Sequence, residues 1–283
     1  MKKRLSSRAL LSRTLSVGFV IALLIFTLYP VLYALLGSVK TNMELVLGET
    51  FMPSQWHFEN YAYAFHKLNF FQYTLNSLIL CGICTVLSIL ISSMAGYCMA
   101  RHEFPFKKLL NSLYLALMFI SLGSVSIYPV YILMNNIHMT NNLFGLALVI
   151  TGGQAANIFL VRGFINTVPR ELDESAFLDG CTPFGIYWRL MIPLIRPMIA
   201  VVGLFAFRNA WNDYITSMVF TIGKKAMQPL TVAVISLRYS ANAAAEWHIM
   251  AAGASISLLP VLIVYAFTNK QFISGLTAGA IKG

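Results

Sequence analysis

Four carboxylates lie within nine residues in the second half of an otherwise apolar chain: Glu171, Asp173, Glu174 and Asp179. Charged groups at this density cannot lie in hydrocarbon, so the segment that carries them must stand outside any membrane that the chain crosses. A carboxylate on an exposed helix can form an ion pair with a basic group of another protein. The segment therefore offers carboxylates as candidate ion-pair groups.

The local pattern of this segment predicts two short helices joined by a turn. Residues up to Leu178 favour a first helix. Asp179-Gly180 should end it, because glycine adopts the left-handed conformation that closes a helix. Thr182-Pro183 should begin a second helix that extends toward Pro193. The apolar positions of the first helix at helical spacing are Leu172, Ala176 and Phe177.

Cys81 and Cys84 have the spacing of a redox pair or of half a zinc site. Both lie inside an apolar run with no second pair and no histidine nearby, which favours a structural role in a helix. The five histidines are scattered, and neither Gly-x-Ser-x-Gly nor His-Glu-x-x-His occurs in the sequence. We therefore expect no catalytic, cofactor or metal site, and an intramembrane enzyme is disfavoured.

The elements that must position the acidic segment are expected to be membrane-spanning helices. Of the 283 residues, 58% are hydrophobic and only 11% are charged, and the mean hydropathy is +0.72. A soluble domain of this size is far less apolar, so the composition predicts an all-α polytopic membrane protein. Runs of about 20 apolar residues suffice to cross the hydrocarbon core. Six spans are expected, at about 15–36, 71–100, 109–134, 143–160, 197–215 and 250–267.

The distribution of basic residues predicts the orientation of these spans. Fourteen Lys and Arg residues fall in alternate segments that include both termini, and five fall in the opposite segments. Basic residues accumulate on the cytoplasmic side, so both termini and the acidic loop 162–196 are expected in the cytoplasm. The same bias accounts for the net charge of +10 without a nucleic-acid partner. The expected segments are a basic tail (1–14), a first span (15–36), an external loop (37–70), a membrane core (71–268) and a C-terminal tail (269–283).

The acidic loop resembles the signature of the permease subunits of binding-protein-dependent ABC importers. That signature is Glu-Ala-Ala, three residues, Gly, nine residues, and Ile-x-Leu-Pro. Here it reads Glu174-Ser175-Ala176, then Gly180, then Leu190-Met191-Ile192-Pro193, with the spacing kept and Ser175, Leu190 and Ile192 as mild replacements. The resemblance implies contact with a separate ATPase, in which Glu174 pairs with a basic residue and Gly180 separates two helices. The residues expected to couple are Glu174, Ala176, Asp179, Gly180, Leu190 and Pro193.

Other stretches resemble sugar-importer permeases of the maltose-transporter type. These stretches are Asn76-Ser77-Leu78, Ala100-Arg101, Ile127-Tyr128-Pro129-Val130-Tyr131, Trp211-Asn212-Asp213-Tyr214, and the last nine residues of the chain. The resemblance implies the type I ABC importer fold in a bacterial plasma membrane. It also implies a second, homologous permease subunit, two copies of a cytosolic ATP-binding subunit and an extracytoplasmic solute-binding protein.

Arg208 is a charge inside the fifth predicted span. A charge at bilayer depth costs about 2.5–3.5 kcal/mol on insertion scales, and it usually faces a wet cavity or a partner. With Asn209 and Asn212 nearby, it could line a sugar path, since hydroxyl-rich solutes need amide and charged hydrogen-bond partners. The alternative is an arginine that pairs internally or extends toward the membrane surface.

The sequence contains no phosphate-binding Gly-x4-Gly-Lys-Ser/Thr loop, so ATP hydrolysis is expected on a partner subunit and this chain is expected not to be an enzyme. The function indicated is the permease subunit of an ABC importer for a sugar or oligosaccharide. Another polar solute such as glycerol phosphate remains an alternative. An ion-driven secondary transporter is disfavoured because the sequence shows no internal repeat.

Overall fold

Apolar runs of this chain fold as helices, because a helix satisfies its own backbone hydrogen bonds where water is absent. The computed structural model describes residues 7–48, 50–119, 123–238 and 245–280, without the side chains of residues 7–12, 14, 124 and 268–280. In chain order the α-helices are α1 (Ser7–Gly37), α2 (Asn42–Leu47), α3 (Glu59–Lys67), α4 (Phe70–Arg101), α5 (Lys107–Phe119), α6 (Ile127–Asn136), α7 (Leu143–Ile150), α8 (Ala155–Ile165), α9 (Glu171–Leu178), α10 (Pro183–Ile186), α11 (Ile192–Leu194), α12 (Arg196–Asn212), α13 (Ile215–Phe220), α14 (Leu230–Ser236) and α15 (Trp247–Ala280). A π-helical turn, Tyr187–Met191, joins α10 to α11, and 3₁₀ turns occupy Gly123–Ser126 and Lys225–Met227.

The spans follow most of the predicted apolar runs. The helices α1, α4 and α15 are long and apolar enough to cross a membrane, and two bent pairs, α7 with α8 and α10–α11 with α12, also qualify if each is one span. The all-helical membrane fold is therefore confirmed, with three to five spans by length and composition. The predicted span 109–134 is divided between α5 and α6, and residues 120–122 lie outside the described part of the chain. A crossing at 109–134, the third of the six predicted spans, stays a prediction.

The fourth predicted span is not a straight helix. α7 and α8 meet at a bend of 63° over residues 151–154. Gly152 and Gly153 lie in this break. The break places Thr151 and Gln154 inside the protein, where both side chains are buried.

The chain divides into two compact units. The first unit contains the described residues of Met1–Leu68 and Val234–Ile256. Within it, the Asn42 side chain donates to the carbonyl of Ala245 at 2.8 Å and accepts from the amide of Trp247 at 2.9 Å. Lys67 Nζ lies 2.5 Å from Glu246 Oε2. These bonds attach the start of α15 to the segment that follows α1.

The second unit contains Asn69–Ala233 and the described residues of Ser257–Gly283. Its central element is α4, which packs against α8 and α12. A Cβ atom at Gly96 would lie 2.8 Å from Val161 Cγ1 and 3.2 Å from the backbone nitrogen of Arg162. Because the two backbones approach so closely there, α8 is held against the C-terminal half of α4.

Candidate functional site

The acidic segment forms the predicted helical hairpin. Its first arm is α9, and Gly180 follows with a φ of +83°. The amide of Gly180 donates to the carbonyl of Phe177, and that of Cys181 donates to the carbonyl of Ala176, each at 3.0 Å. This pattern is a Schellman motif, which satisfies the last carbonyls of a helix. The predicted helix stop at Asp179-Gly180 is confirmed.

The second arm begins at the predicted cap and is anchored in the protein interior. The Thr182 hydroxyl accepts from the amide of Gly185 at 3.1 Å. Ile186, Met191 and Ile195 are buried in a cluster with residues of α4, α8 and α12. The Tyr187 hydroxyl lies 2.7 Å from Ser93 Oγ of α4. The second arm is therefore fixed to the helices behind it.

Arg101, the last residue of α4, holds the first arm. Its Nε lies 2.8 Å from Asp173 Oδ2, and the two side chains are 6% and 17% exposed. Its Nη2 donates to the carbonyl of Val168 at 2.7 Å, just before α9 begins. One guanidinium thus contacts both the hairpin helix and the chain that leads into it.

A second ion pair lies just beyond the end of α4. Lys107 Nζ donates to Glu103 Oε1 at 2.8 Å. This hydrogen bond, with the nearby charges of Arg170 and Lys108, lowers the pKa of the Glu103 carboxyl. Glu103 therefore stays ionised beside the hairpin at neutral pH.

The outer surface of the hairpin is apolar and exposed. Leu178 is 87% exposed, Phe177 65% and Phe184 62%. Glu174 and Asp179 are exposed on the same hairpin. Of the predicted apolar positions of α9, Ala176 packs against the core, whereas Leu172 and Phe177 are exposed. Exposed apolar side chains beside carboxylates are typical of a protein-docking surface.

A groove of about 660 Å³ lies between the end of α4 and the two arms of the hairpin. Its lining combines apolar and charged groups, including Tyr97, Arg101, Arg170, Glu174, Phe177 and Pro183. Glu174 therefore faces an open concavity, and no ion pair engages it within the described residues.

The six residues expected to couple divide into two groups. Glu174, Asp179, Gly180 and Pro193 are exposed on the hairpin, while Ala176 and Leu190 pack against the core. Pro193 lies in the first turn of α11, next to the bend of 82° that leads into α12. The ion pair between Asp173 and Arg101 was not predicted from the sequence. The signal was Asp173 three residues before Ala176, which places it on the inward face of α9.

A second site is a polar cavity of about 330 Å³ in the second unit. Arg208, Asn209 and Asn212, which the sequence predicted for a solute path, all line it. Its other polar walls were not predicted from the sequence, and they come from α4, from the bend between α7 and α8, and from α8 itself. These are Ser88, Thr151, Gln154 and Asn157.

The walls of this cavity are held by hydrogen bonds. Gln154 Nε2 donates to Ser88 Oγ at 2.9 Å and to the carbonyl of Thr151 at 3.1 Å. Asn157 Nδ2 donates to Gln154 Oε1 at 2.8 Å. On the opposite wall, Asn212 Nδ2 donates to the carbonyl of Arg208 at 3.0 Å. The amides are thereby oriented before any solute enters.

The cavity continues into a larger groove of about 890 Å³. The two share Ile150, Asn209 and Asn212 as lining residues. Asp213 and Tyr214 line the larger groove, and Asp213 Oδ1 accepts from the amide of Ser217 at 2.7 Å as the cap of α13. Together they form a connected depression with polar groups at the shared wall.

The thiols of Cys81 and Cys84 are both buried and lie close to backbone carbonyls. Cys81 Sγ is 3.7 Å from the carbonyl of Phe207, and Cys84 Sγ is 3.9 Å from that of Ala147. Among the described residues, no group of three potential ligands could hold a metal ion. The geometry fits the structural interpretation of this pair.

Comparison with known proteins places this architecture among transport proteins. The sequence profile of a family described as "Binding-protein-dependent transport system inner membrane component" matches residues 88–272. The chain is 32% identical to the arabinooligosaccharides transport system permease protein AraQ of Bacillus subtilis (strain 168), over 94% of each chain. It is also 32% identical to the maltodextrin transport system permease protein MalD of Streptococcus pneumoniae (strain ATCC BAA-255 / R6), over 100% of each chain.

Among solved structures, the chain resembles one from a bacterial ABC transporter involved in the import of the acidic polysaccharide alginate. The TM-score is 0.79 at 21% identity, over 96% of this chain and 100% of that one. At this level of identity the likeness establishes the fold. The type I permease fold expected from the acidic loop is thereby confirmed.

Proposed function

Because the chain belongs to the family of binding-protein-dependent transport system inner membrane components, we propose that it moves a sugar or oligosaccharide inward, driven by ATP hydrolysis on a separate subunit. The chain is a multi-pass permease of the bacterial plasma membrane. Full-length relatives named for arabinooligosaccharide and maltodextrin transport support a carbohydrate as the solute. The observation that carries the proposal is the anchored hairpin with its exposed apolar surface.

The hairpin is the contact for the ATPase. Leu178, Phe177 and Phe184 present apolar area that would be buried on docking, and Glu174 offers a carboxylate to a basic group of the partner. The second arm is buried among α4, α8 and α12, so displacement of the hairpin must move these helices with it. Such a displacement is the rigid-body type of conformational switch.

The translocation path runs along the cavity and groove that Asn209 and Asn212 share. Amide groups donate and accept hydrogen bonds, and hydroxyl-rich solutes require both. Arg208 and the two asparagines are exposed in the single chain. They therefore line half of a path, and the second homologous permease supplies the other half. The complete importer then comprises two permeases, two copies of the ATPase and an extracytoplasmic solute-binding protein.

The test is ATP-dependent uptake by the complete importer in proteoliposomes. We expect carbohydrate uptake that requires internal ATP, the ATPase and the solute-binding protein. A matched preparation with an ATPase that cannot hydrolyse ATP should import nothing above background. Uptake that persists without ATP and follows an imposed proton or sodium gradient would instead establish a secondary transporter.

A further inference from the structure

The cavity beside Arg208 has a charge that its own walls do not balance. Among the described residues that line it, Arg208 is the one with a full charge, and none of the others is an aspartate or a glutamate. Within the described chain, no carboxylate oxygen lies within 4.0 Å of its guanidinium. The nearest acid in sequence, Asp213, lines the adjoining groove and caps α13 with one oxygen.

The remaining polar groups of the cavity include free hydrogen-bond acceptors. Both hydrogens of Gln154 Nε2 are engaged, by Ser88 and by the carbonyl of Thr151. Asn157 and Asn212 each donate one hydrogen to a neighbour in the wall. The amide oxygens of Asn157, Asn209 and Asn212 therefore stay available, and amide oxygens accept hydrogen bonds from hydroxyl groups.

From this arrangement we infer that the importer carries an acidic carbohydrate, whose anionic group binds Arg208 while its hydroxyl groups bind the asparagine amides. The inference rests on the proposed function and specifies its solute. A guanidinium offers a rigid fork of donors that matches carboxylate, phosphate and sulfonate oxygens. A neutral sugar would use the asparagines but would leave the guanidinium without an anion from the walls that this chain supplies, which is unfavourable at bilayer depth. The shared chemistry is an anion attached to a hydroxylated chain.

The experiment compares matched acidic and neutral solutes in the complete importer. The probes are oligogalacturonates, their neutral oligogalactoside counterparts of equal length, and glycerol 3-phosphate, supplied with the importer's own solute-binding protein. We expect ATP-dependent uptake of an acidic probe in preference to its neutral counterpart. Preference for the oligogalacturonates identifies a carboxylate as the bound group, and preference for glycerol 3-phosphate identifies a phosphate.

Variants assign the preference to this side chain. Arg208→Gln should lower the acidic preference about tenfold or more, which corresponds to the loss of a charge-assisted hydrogen bond. Arg208→Lys keeps the charge without the fork, so it should retain part of the preference. Arg196→Gln removes the same charge from the other end of α12 and should leave the preference unchanged. Co-purification of the other subunits reports whether each variant still assembles.

Two results would overturn the inference: ATP-dependent uptake confined to the neutral probes, or an acidic preference that Arg208→Gln leaves intact in an assembled importer. If Arg208→Gln does not assemble, the inference is still tested by the uptake of acidic relative to neutral probes in the wild type and in Arg208→Lys. Absence of ATP-dependent uptake for every probe would count against the proposed function itself. The two failures are therefore distinguishable.

Discussion

Arg101 at the end of α4 and Asp173 in α9 form a largely buried ion pair, with Nε 2.8 Å from Oδ2. The same guanidinium binds the carbonyl of Val168 at 2.7 Å. The last side chain of this long membrane helix thus binds the first arm of the hairpin. The second arm is held separately, by Tyr187 against Ser93 and by buried apolar residues. Both arms are consequently linked to α4, one through charge and the other through packing.

Removing one member of this pair should uncouple the hairpin. Arg101→Gln leaves Asp173 largely buried without its partner, and the cost should approach the value of about 3–5 kcal/mol for a fully buried pair. We expect a lower thermal unfolding midpoint of the purified importer in detergent and loss of solute-stimulated ATP hydrolysis. Asp173→Asn should have the same effects. The double variant should lower the unfolding midpoint by less than the sum of the two single variants. Additive losses would show that the two side chains act independently.

The backbone conformation at Gly180 sets the angle of the hairpin. Its φ of +83° is strained for other residues, yet a Cβ atom there would meet nothing within 4 Å. Gly180→Ala should therefore cost about 1–2 kcal/mol from conformation alone, and Gly180→Asn less. Weaker retention of the ATPase in pull-down assays measures the effect. Gly163→Ala, in α8 with equally open space, should retain it fully. Equal retention by the Gly180 and Gly163 variants would contradict this role.

The sequence pattern predicted the local conformation of the hairpin but not the contacts that the hairpin makes with the rest of the chain. Glycine and the Thr-Pro pair signal local conformation, so the helix stop at Gly180 and the cap at Thr182 were predictable from neighbouring residues. The ion pair joins positions that are distant in sequence. The spacing of Asp173 and Ala176 indicates which carboxylate turns inward, but nothing local indicates that its partner is Arg101. The outward position of Phe177 was also missed, because an apolar residue intended for a partner looks the same as one intended for the core.

The same limit applies within the membrane core. Arg208, Asn209 and Asn212 lie close together on one helix, so the sequence could place them in one site. Gln154 and Ser88 joined that site only through the bend between α7 and α8 and through helix packing. Gly152 and Gly153 are compatible with either a packed helix or a break, and tertiary structure decides between them.

Leu178 tests the docking surface directly. It is 87% exposed, so Leu178→Ser should not change the stability of the permease. If the ATPase covers this side chain, the loss of a buried apolar contact should weaken its retention by about tenfold, equivalent to burial of a leucine-sized group. Titration of the ATPase onto the detergent-purified permease pair measures this. Phe26→Ser, 81% exposed on α1, is the control and should leave retention unchanged. Unchanged retention in Leu178→Ser would exclude this side chain from the interface.

The close approach of α4 and α8 is tested at Gly96. An added methyl group would lie 2.8 Å from Val161 Cγ1, so Gly96→Ala must separate the helices or displace that side chain. Overpacking of this kind costs about 1–3 kcal/mol. Gly82→Ala in the same helix meets nothing within 4 Å and should be neutral or slightly stabilising. The comparison is made by thermal unfolding, and equal midpoints for the two variants would show that the contact is not tight.

The orientation of the whole chain can be determined at Cys181. This thiol lies in the turn of the hairpin and is half-buried, whereas Cys81 and Cys84 are fully buried. With Cys98 replaced by serine, a membrane-impermeant maleimide should fail to label intact cells and should label inverted membrane vesicles. Bound ATPase should then protect the thiol, since the turn lies beside the exposed Phe184 and Leu178. A detergent-solubilised sample without ATPase serves as the control for reactivity. Labelling from outside intact cells would place the hairpin on the wrong side of the membrane for any contact with a cytosolic ATPase, because the four predicted crossings that precede it, counted from a cytoplasmic N-terminus, put this loop inside.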